Sequence, residues 1–445
     1  MNSMELTIKK GYDLPLEGAV NDLAPVVLKA SRAAVYPDDF AGFEPKPAVK
    51  PGEHVMYGDP VLFDKRHPEV KIAAPLCGTI EAIERGERRH IDRIIIRRDD
   101  DEQYRIFNVG YKTPEEAISL LCAAGMLALI HQRPYDIVPS PEVRPKNIFI
   151  SGFDSSPLAV DPVWTIEDGE SLKMAADMLK LIATDKVYLS RRASSMIPNI
   201  PGIENVIIHG PHPAGLPGVQ AANIAPVSKG EVIWTMTINT MIRIGRLLKN
   251  RRIDSSSTVA VTGSCVEKRG LVRTTVGAPI DEILHGRIKK SDSNIRIISG
   301  NVLTGKKVSM DGYIRFPYTQ VTVIPEGDDK DEFMGWASLS PKKMSVSNTF
   351  PGKFLHRLFN PDARINGGRR AIIMSGEYDR VLPMDIYGEY LIKAIKAKDI
   401  DGMERLGIYE VAPEDFALAE ALDSSKQPLQ ALVRTGLDYL RKELE

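Results

Sequence analysis

Cysteine is scarce in this chain: three residues among 445, Cys77, Cys122 and Cys265, far apart and odd in number. That usage excludes a disulfide scaffold and fits a reducing compartment. No Cys-x-x-Cys pair occurs. Charge of one sign is lacking as well, since Lys plus Arg (58) balances Asp plus Glu (59). No overall field then attracts polyanions, and a nucleic-acid partner is not expected. Long apolar runs are missing: the most lipid-like stretch, Ala117–Ile130, falls short of the roughly 20 residues that span a bilayer and reads as a buried helix. Met1–Lys10 has no apolar core followed by a small-residue cleavage site, so it is not a secretory signal and a cytoplasmic location is expected. Also absent are a Ser–His–Asp arrangement, an HExxH motif, a carboxylate pair spaced for acid–base work and a Gly-x-Gly-x-x-Gly run opening a helix.

What is present is a globular composition, 43% hydrophobic and 26% charged, in a chain too long for one ordinary core. Residues 1–105 read as short strands with close-set turns, and Gly52 and Gly58 suggest a tight hairpin. The runs Val49–Phe63 and Ala74–Gly86 resemble the biotinyl/lipoyl barrel-sandwich fold. The tip Asp64–Lys65–Arg66–His67–Pro68 has a lysine without the flanking methionines of an acylated carrier, so a structural module is expected. Thr113, Pro114, Glu115 and Glu116 predict a helix start, and the helix is expected to run to residue 133. Residues 106–146 form a helical connector and linker.

From 147 to 257 strands and helices alternate: strands at Asn147–Gly152, Lys186–Ser190 and Val206–His209, a helix at Glu170–Ala183, and helix over Val232–Asn250. That rhythm predicts a parallel sheet, Rossmann-like but without the nucleotide loop, because Ser151–Pro157 lacks the glycine spacing a pyrophosphate needs. Residues 258–330 read as strand, strand, helix, strand, a β-grasp (soluble-ligand-binding) domain. Within it Gly300–Lys307 nearly matches a phosphate loop, but Lys307 replaces the metal-binding hydroxyl, so a turn with surface lysines is expected. A connector (331–375) leads to a C-terminal helical domain (376–445), with apolar spacing of three and four in Asp385–Ala397, Asp401–Leu406, Pro413–Leu422 and Leu429–Leu444. The fold class is thus multidomain α/β and β.

The stretch with most promise as a site is Asn205–Gly218, a β-branched strand that empties into His209-Gly210-Pro211-His212-Pro213-Ala214-Gly215-Leu216-Pro217-Gly218. Such a strand end delivers free backbone amides to the carboxyl edge of a sheet, where open α/β sheets place ligands. His209, Gly210, Pro211, His212, Pro213, Gly215 and Gly218 are the candidate substrate or partner residues. Pro211 and Pro213 rule out a helix that would align the two histidines, and no third ligand lies nearby, so loop shaping or partner contact is favoured over metal. No catalytic, cofactor-binding or metal-ligating residue is assigned. Arg191–Arg192, Lys249–Arg252 and Arg369–Arg370 read as solvated faces, Trp234 and Trp336 as core or interface.

Several ordered segments, Ile8–Pro15, Gly210–Leu216, Leu271–Thr274 with Gly277–Ala278, Arg296–Gly305, Phe333–Trp336 and Leu382–Asp385, resemble the NqrA family, a component of bacterial sodium-translocating NADH:quinone oxidoreductases, over essentially the whole chain. The layout is similar to the flavin subunit of respiratory complex I and the C subunit of the Rnf complex. Those relatives carry cluster thiolates where this chain reads Ser375–Met384 and Tyr409–Asp415, without one cysteine. The resemblance implies a peripheral subunit on the cytoplasmic side of the bacterial inner membrane, in a pump that couples NADH oxidation and ubiquinone reduction to sodium export. Its partners are then the other subunits, membrane subunits included, which hold FMN, FAD and Fe–S groups, while this chain holds no cofactor and acts in docking or at the quinone end. Neutral imidazoles in the 209–218 loop are suited to hydrogen-bond a quinone carbonyl. The alternative is a soluble oxidoreductase that binds nucleotide through an atypical phosphate loop.

Overall fold

β-branched runs broken by proline and glycine fill the first hundred residues, and each folds as a short strand. The computed structural model describes residues 4–162, 168–290, 293–328, 340–341, 343–345, 350–355, 357–365 and 367–444. Phe333–Trp336 and much of the 331–375 connector lie outside the described residues.

The N-terminal strands are β1 (Met4–Thr7), β2 (Pro25–Val27), β3 (Arg32–Val35), β4 (Pro45–Pro47), β5 (His54–Val55), β6 (Pro60–Asp64), β7 (Lys71–Ala73), β8 (Gly78–Arg85) and β9 (Ile91–Arg98). β3, β9, β8 and β5 make one antiparallel sheet and β4, β6 and β7 another. Leu62, Ile80, Ile94 and Ile96 bring both sheets into one core. Asp64–Pro68 turns between β6 and β7, the hairpin tip expected of it. Gly52 and Gly58 do not bracket a hairpin: β5 pairs with β8 while β6 pairs with β4 and β7. Gly58, at φ +92°, turns the chain out of one sheet and into the other. β1 and β2 also leave this module, as described below.

α1 (Pro114–Ala123) opens with a capping box between Thr113 and Glu116, as its sequence predicts. It is shorter than expected. Gly125, at φ +70°, ends the helical path, and the chain passes through a 3-10 turn at Leu127–Leu129 into β10 (His131–Arg133).

The next elements are β11 (Asn147–Ser151), α2 (Gly169–Ile182), β12 (Val187–Arg191), β13 (Glu204–His209), α3 (Pro217–Ile224), β14 (Ile233–Thr237) and α4 (Ile238–Asn250). They build a sheet in the order β1-β13-β12-β11-β14-β10, parallel except for β10. Residues 232–250 are therefore not helix throughout, because β14 claims the first of them as an inner strand. All of β11 is buried, as a strand covered on both faces requires. Ile148 and Ile150 join the core of α1, α2, α4 and the N-terminal sheets. Phe149 and Tyr188, stacked at 4.9 Å, point the other way, into a core shared with α3 and the C-terminal helices.

A third sheet contains β15 (Ser256–Thr262), β16 (Gly270–Thr275), β17 (Ile295–Ser299), β18 (Lys306–Val308) and β19 (Gln320–Pro325), with α5 (Ile280–Leu284) packed in its core. Its order is β18-β17-β19-β15-β16-β2, so β2 edges this sheet just as β1 edges the parallel one. Residues 300–307 form a turn into β18, and Lys306 and Lys307 pair with Asp39 and Glu326, each at 3.0 Å. The chain closes with α6 (Gly388–Ala397), α7 (Ile400–Arg405), α8 (Ala417–Leu422) and α9 (Leu429–Leu444). Leu391, Leu437 and Leu440 among them are fully buried, at about 2 kcal/mol each for burial of that size. Among the described residues no helix is long and apolar enough to cross a membrane.

Candidate functional site

β13 alternates strictly until its end, with Val206 and Ile208 buried and His209 exposed. Beyond it the chain is clasped by the N-terminal segment. Ile8 N–H donates to the His209 carbonyl at 2.8 Å, Tyr12 N–H to the His212 carbonyl at 2.8 Å, and His212 N–H to Asp13 Oδ1 at 2.8 Å. This clasp needs glycine on both sides. A Cβ on Gly210 (φ +130°) would stand 2.2 Å from the Ile8 carbonyl oxygen, and one on Gly11 (φ +135°) 2.2 Å from that of His212. Pro211 is half-buried and Pro213 buried, joined to His212 by a cis peptide. Gly215 donates to Ser155 Oγ and accepts from Ser151 Oγ, both at 2.8 Å. Gly218, in the first turn of α3, lies where a Cβ would sit 2.1 Å from Arg133 Nη2.

The two histidines do not converge. His209 faces solvent, whereas His212 is 2% exposed with Nδ1 3.1 Å from Ser155 Oγ. Burial pushes the His212 imidazole below its ordinary value against the opposing pull of Asp154 and Asp13, so the ring is neutral at pH 7. Its Nε2 is buried with no hydrogen-bond partner among the described residues. Beside it Arg192 lies over the Phe153 ring at 4.7 Å and donates to the Gly210 carbonyl at 3.2 Å. Among the described residues no group of three or more His, Cys, Asp or Glu is placed to hold a metal ion.

The strand order also locates the crevice where such a sheet reverses direction, between β11 and β14, not after β13. Among the described residues the chain itself occupies the β14 side of that crevice. Residues of the Ile314–Thr319 loop lie against Thr237, Asn239 and Arg243 at the start of α4, and Gln320 Nε2 donates to the Pro157 carbonyl at 3.2 Å. A cavity of about 30 Å³ lies between that loop and the start of α4. That holds only about two waters.

Sequence reading missed a buried knot of charge that ties β10 to the C-terminal helices. Arg133, 1% exposed, donates to Asp415 Oδ2 at 2.8 Å and the Glu410 carbonyl at 2.7 Å, with Glu414 at 3.6 Å. His131 Nδ1 meets Asp136 Oδ1 at 3.0 Å, and Arg434 donates to the carbonyls of Tyr135 and Asp136. Burial works to raise Asp136, but the charges of His131, Arg133 and Arg434 prevail and hold it at about 2. Burial, with Asp415 and Asp136 nearby, pushes Glu414 up to about 7. The only local signal was the Arg-Pro-Tyr-Asp run, which reads as a turn.

Comparison with known proteins decides the family. Three family profiles match: the NqrA N-terminal barrel-sandwich hybrid domain over residues 6–99, the NqrA second alpha/beta domain over 113–253, and the NQRA C-terminal domain over 258–310. The Na(+)-translocating NADH-quinone reductase protein NqrA of Pasteurella multocida is 33% identical over 98% of this chain and 100% of its own length. The chain belongs to the NqrA family. The NqrA proteins of Neisseria meningitidis serogroup A (33%; 98% and 100%) and Rhodopirellula baltica (32%; 98% and 98%) align equally fully. The two small antiparallel sheets are thus the NqrA barrel-sandwich domain, and the parallel sheet is the NqrA second α/β domain. A four-iron cluster takes four thiolates, and the three cysteines of this NqrA-family chain cannot supply them.

Proposed function

We propose that the chain works as the NqrA component of a sodium-translocating NADH:quinone reductase, on the cytoplasmic face of the membrane, where it docks partner subunits and shapes the quinone end. The observation that carries this reading is the end-to-end alignment with NqrA proteins of that complex. FMN, FAD and Fe–S groups then belong to partner subunits. In this reading the β13-β12-β11-β14 order is a Rossmann-like layout whose ligand crevice is occupied on its β14 side by the chain's own 314–320 loop, and the third sheet is of β-grasp type. A loop seated on the β14 side of the crevice also weighs against the alternative of a soluble nucleotide-binding oxidoreductase.

Within this function the 209–218 loop is the contact for ubiquinone or for the protein that presents it. In the tautomer in which Nδ1 accepts from Ser155 Oγ, 3.1 Å away, His212 carries its hydrogen on the buried, unpartnered Nε2, a neutral donor of the kind a quinone carbonyl asks for. His209 supplies an exposed imidazole three residues earlier. The test compares assembled complexes carrying wild-type chain, His209→Ala or His212→Gln. A raised KM for quinone, with NADH oxidation by an artificial acceptor unchanged, supports the contact. An unchanged quinone KM in both variants sinks it, and flavin found on the isolated chain would overturn the division of labour.

A further inference from the structure

Four stretches of the chain meet around a groove of about 550 Å³: the segment after β2, the end of the barrel-sandwich, the segment after α4, and β16. The volume is that of a small-molecule site, which runs ~300–1,000 Å³. Its cations are unequally committed. Arg98 and Lys29 both reach Glu102, at 3.1 and 3.8 Å, and Asp254 is taken by Arg246 at 2.6 Å. Glu102 and Asp254 are the acidic residues lining the groove, so Arg252 and Arg273 face it with no carboxylate partner among the described residues.

Packing holds the first of these arginines in place, and strand alternation presents the second. Arg252 lies over the Tyr104 ring at 4.3 Å, and Tyr104 is itself stacked on Tyr57 at 4.7 Å. Arg273 is the one exposed residue between buried Val272 and buried Thr274 on β16. Two guanidinium forks without carboxylate partners on one groove form a donor set for a tetrahedral oxyanion.

We propose that this groove binds a phosphate ester, its oxygens held by Arg252 and Arg273. The ester comes from a soluble nucleotide-sized molecule or from the headgroup of an anionic lipid. Exposed Val26 and Val27 on β2, beside Lys29, would meet the acyl region in the second case. The proposal stands apart from the quinone-end reading. Calorimetric titration of the full chain with ADP tests the soluble source, and co-sedimentation with phosphatidylcholine vesicles, with and without phosphatidylglycerol, tests the lipid one. Arginine-dependent binding of ADP, or of the phosphatidylglycerol vesicles alone, supports the site and identifies its source. Arg252→Ala combined with Arg273→Ala should weaken that binding at least about tenfold, with Arg273→Lys in between. Both side chains are exposed, and unchanged melting of the variants verifies the fold. No binding of either probe by the wild-type chain, or equal binding by the double variant, overturns it.

Discussion

His212, buried, and Glu414, half-buried beside Asp415, are titratable groups that folding shifts in ways that predict opposite pH behaviour. Burial lowers the His212 imidazole, so the unfolded chain takes up the proton first. The stability that its neutral form confers is present above pH ~6.5 and is lost as pH falls below that value. Glu414 is raised from 4.5 to about 7, so its contribution is present below pH 4.5 and lost as pH rises through about 7. Its side chain keeps 38% of its surface exposed, and water screens part of the effect. Glu414→Gln should therefore gain about 1 kcal/mol over wild type between pH 4 and 8, read from denaturant melts at both pH values. Gly11→Ala should act through sterics alone. With its Cβ 2.2 Å from the His212 carbonyl oxygen and φ at +135°, a loss of about 2 kcal/mol or more is expected in the same melts, independent of pH.

At the scale of elements, what was legible is what local chemistry decides. Leu172, Ala175, Ala176, Leu179 and Ile182 keep helical spacing, and all five are buried on α2. β11, β12 and β13 are likewise announced by β-branched runs that end in turn residues. β14 was illegible because Ile233–Thr237 runs into Ile238 without a glycine or proline to mark the junction, leaving one apolar stretch that also suits a helix. β10 was hidden by its three-residue length, and its partner β14 lies a hundred residues on. The candidate loop was found at the carboxyl edge of the sheet, but its burial was not foreseen, because the clasp comes from Ile8–Asp13. The knot around Arg133 escaped for the same reason: Asp415 stands 282 residues away. Asp415→Ala should strip buried Arg133 of its hydrogen-bonded carboxylate, leaving it only the more distant Glu414, and cost about 3 kcal/mol. Detachment of the C-terminal helices should show as faster amide exchange across α6 and α9, and unchanged exchange there would mean that apolar packing alone holds them.

For the molecule as a whole, the first thirty residues act as a brace between two domains. β1 extends the parallel sheet beside β13, Lys10–Asp13 clasps the 209–218 loop, Gly18 accepts from Gly263 N–H at 2.9 Å, and β2 extends the third sheet beside β16. None of these pairings lies within the barrel-sandwich that follows directly in the chain. Removing residues 1–28 should therefore leave that module's core intact, since Leu62, Ile80, Ile94 and Ile96 come later. It should also bare the edges of β13 and β16 at once. Unpaired strand edges seek other edges, so the truncated chain should self-associate where the full chain does not, and its two other sheets should lose their joint unfolding. Light scattering after size exclusion reads the first effect and calorimetry the second. A truncated chain as monodisperse as the full one, melting in a single transition at the same temperature, would show that the domains hold together without the brace.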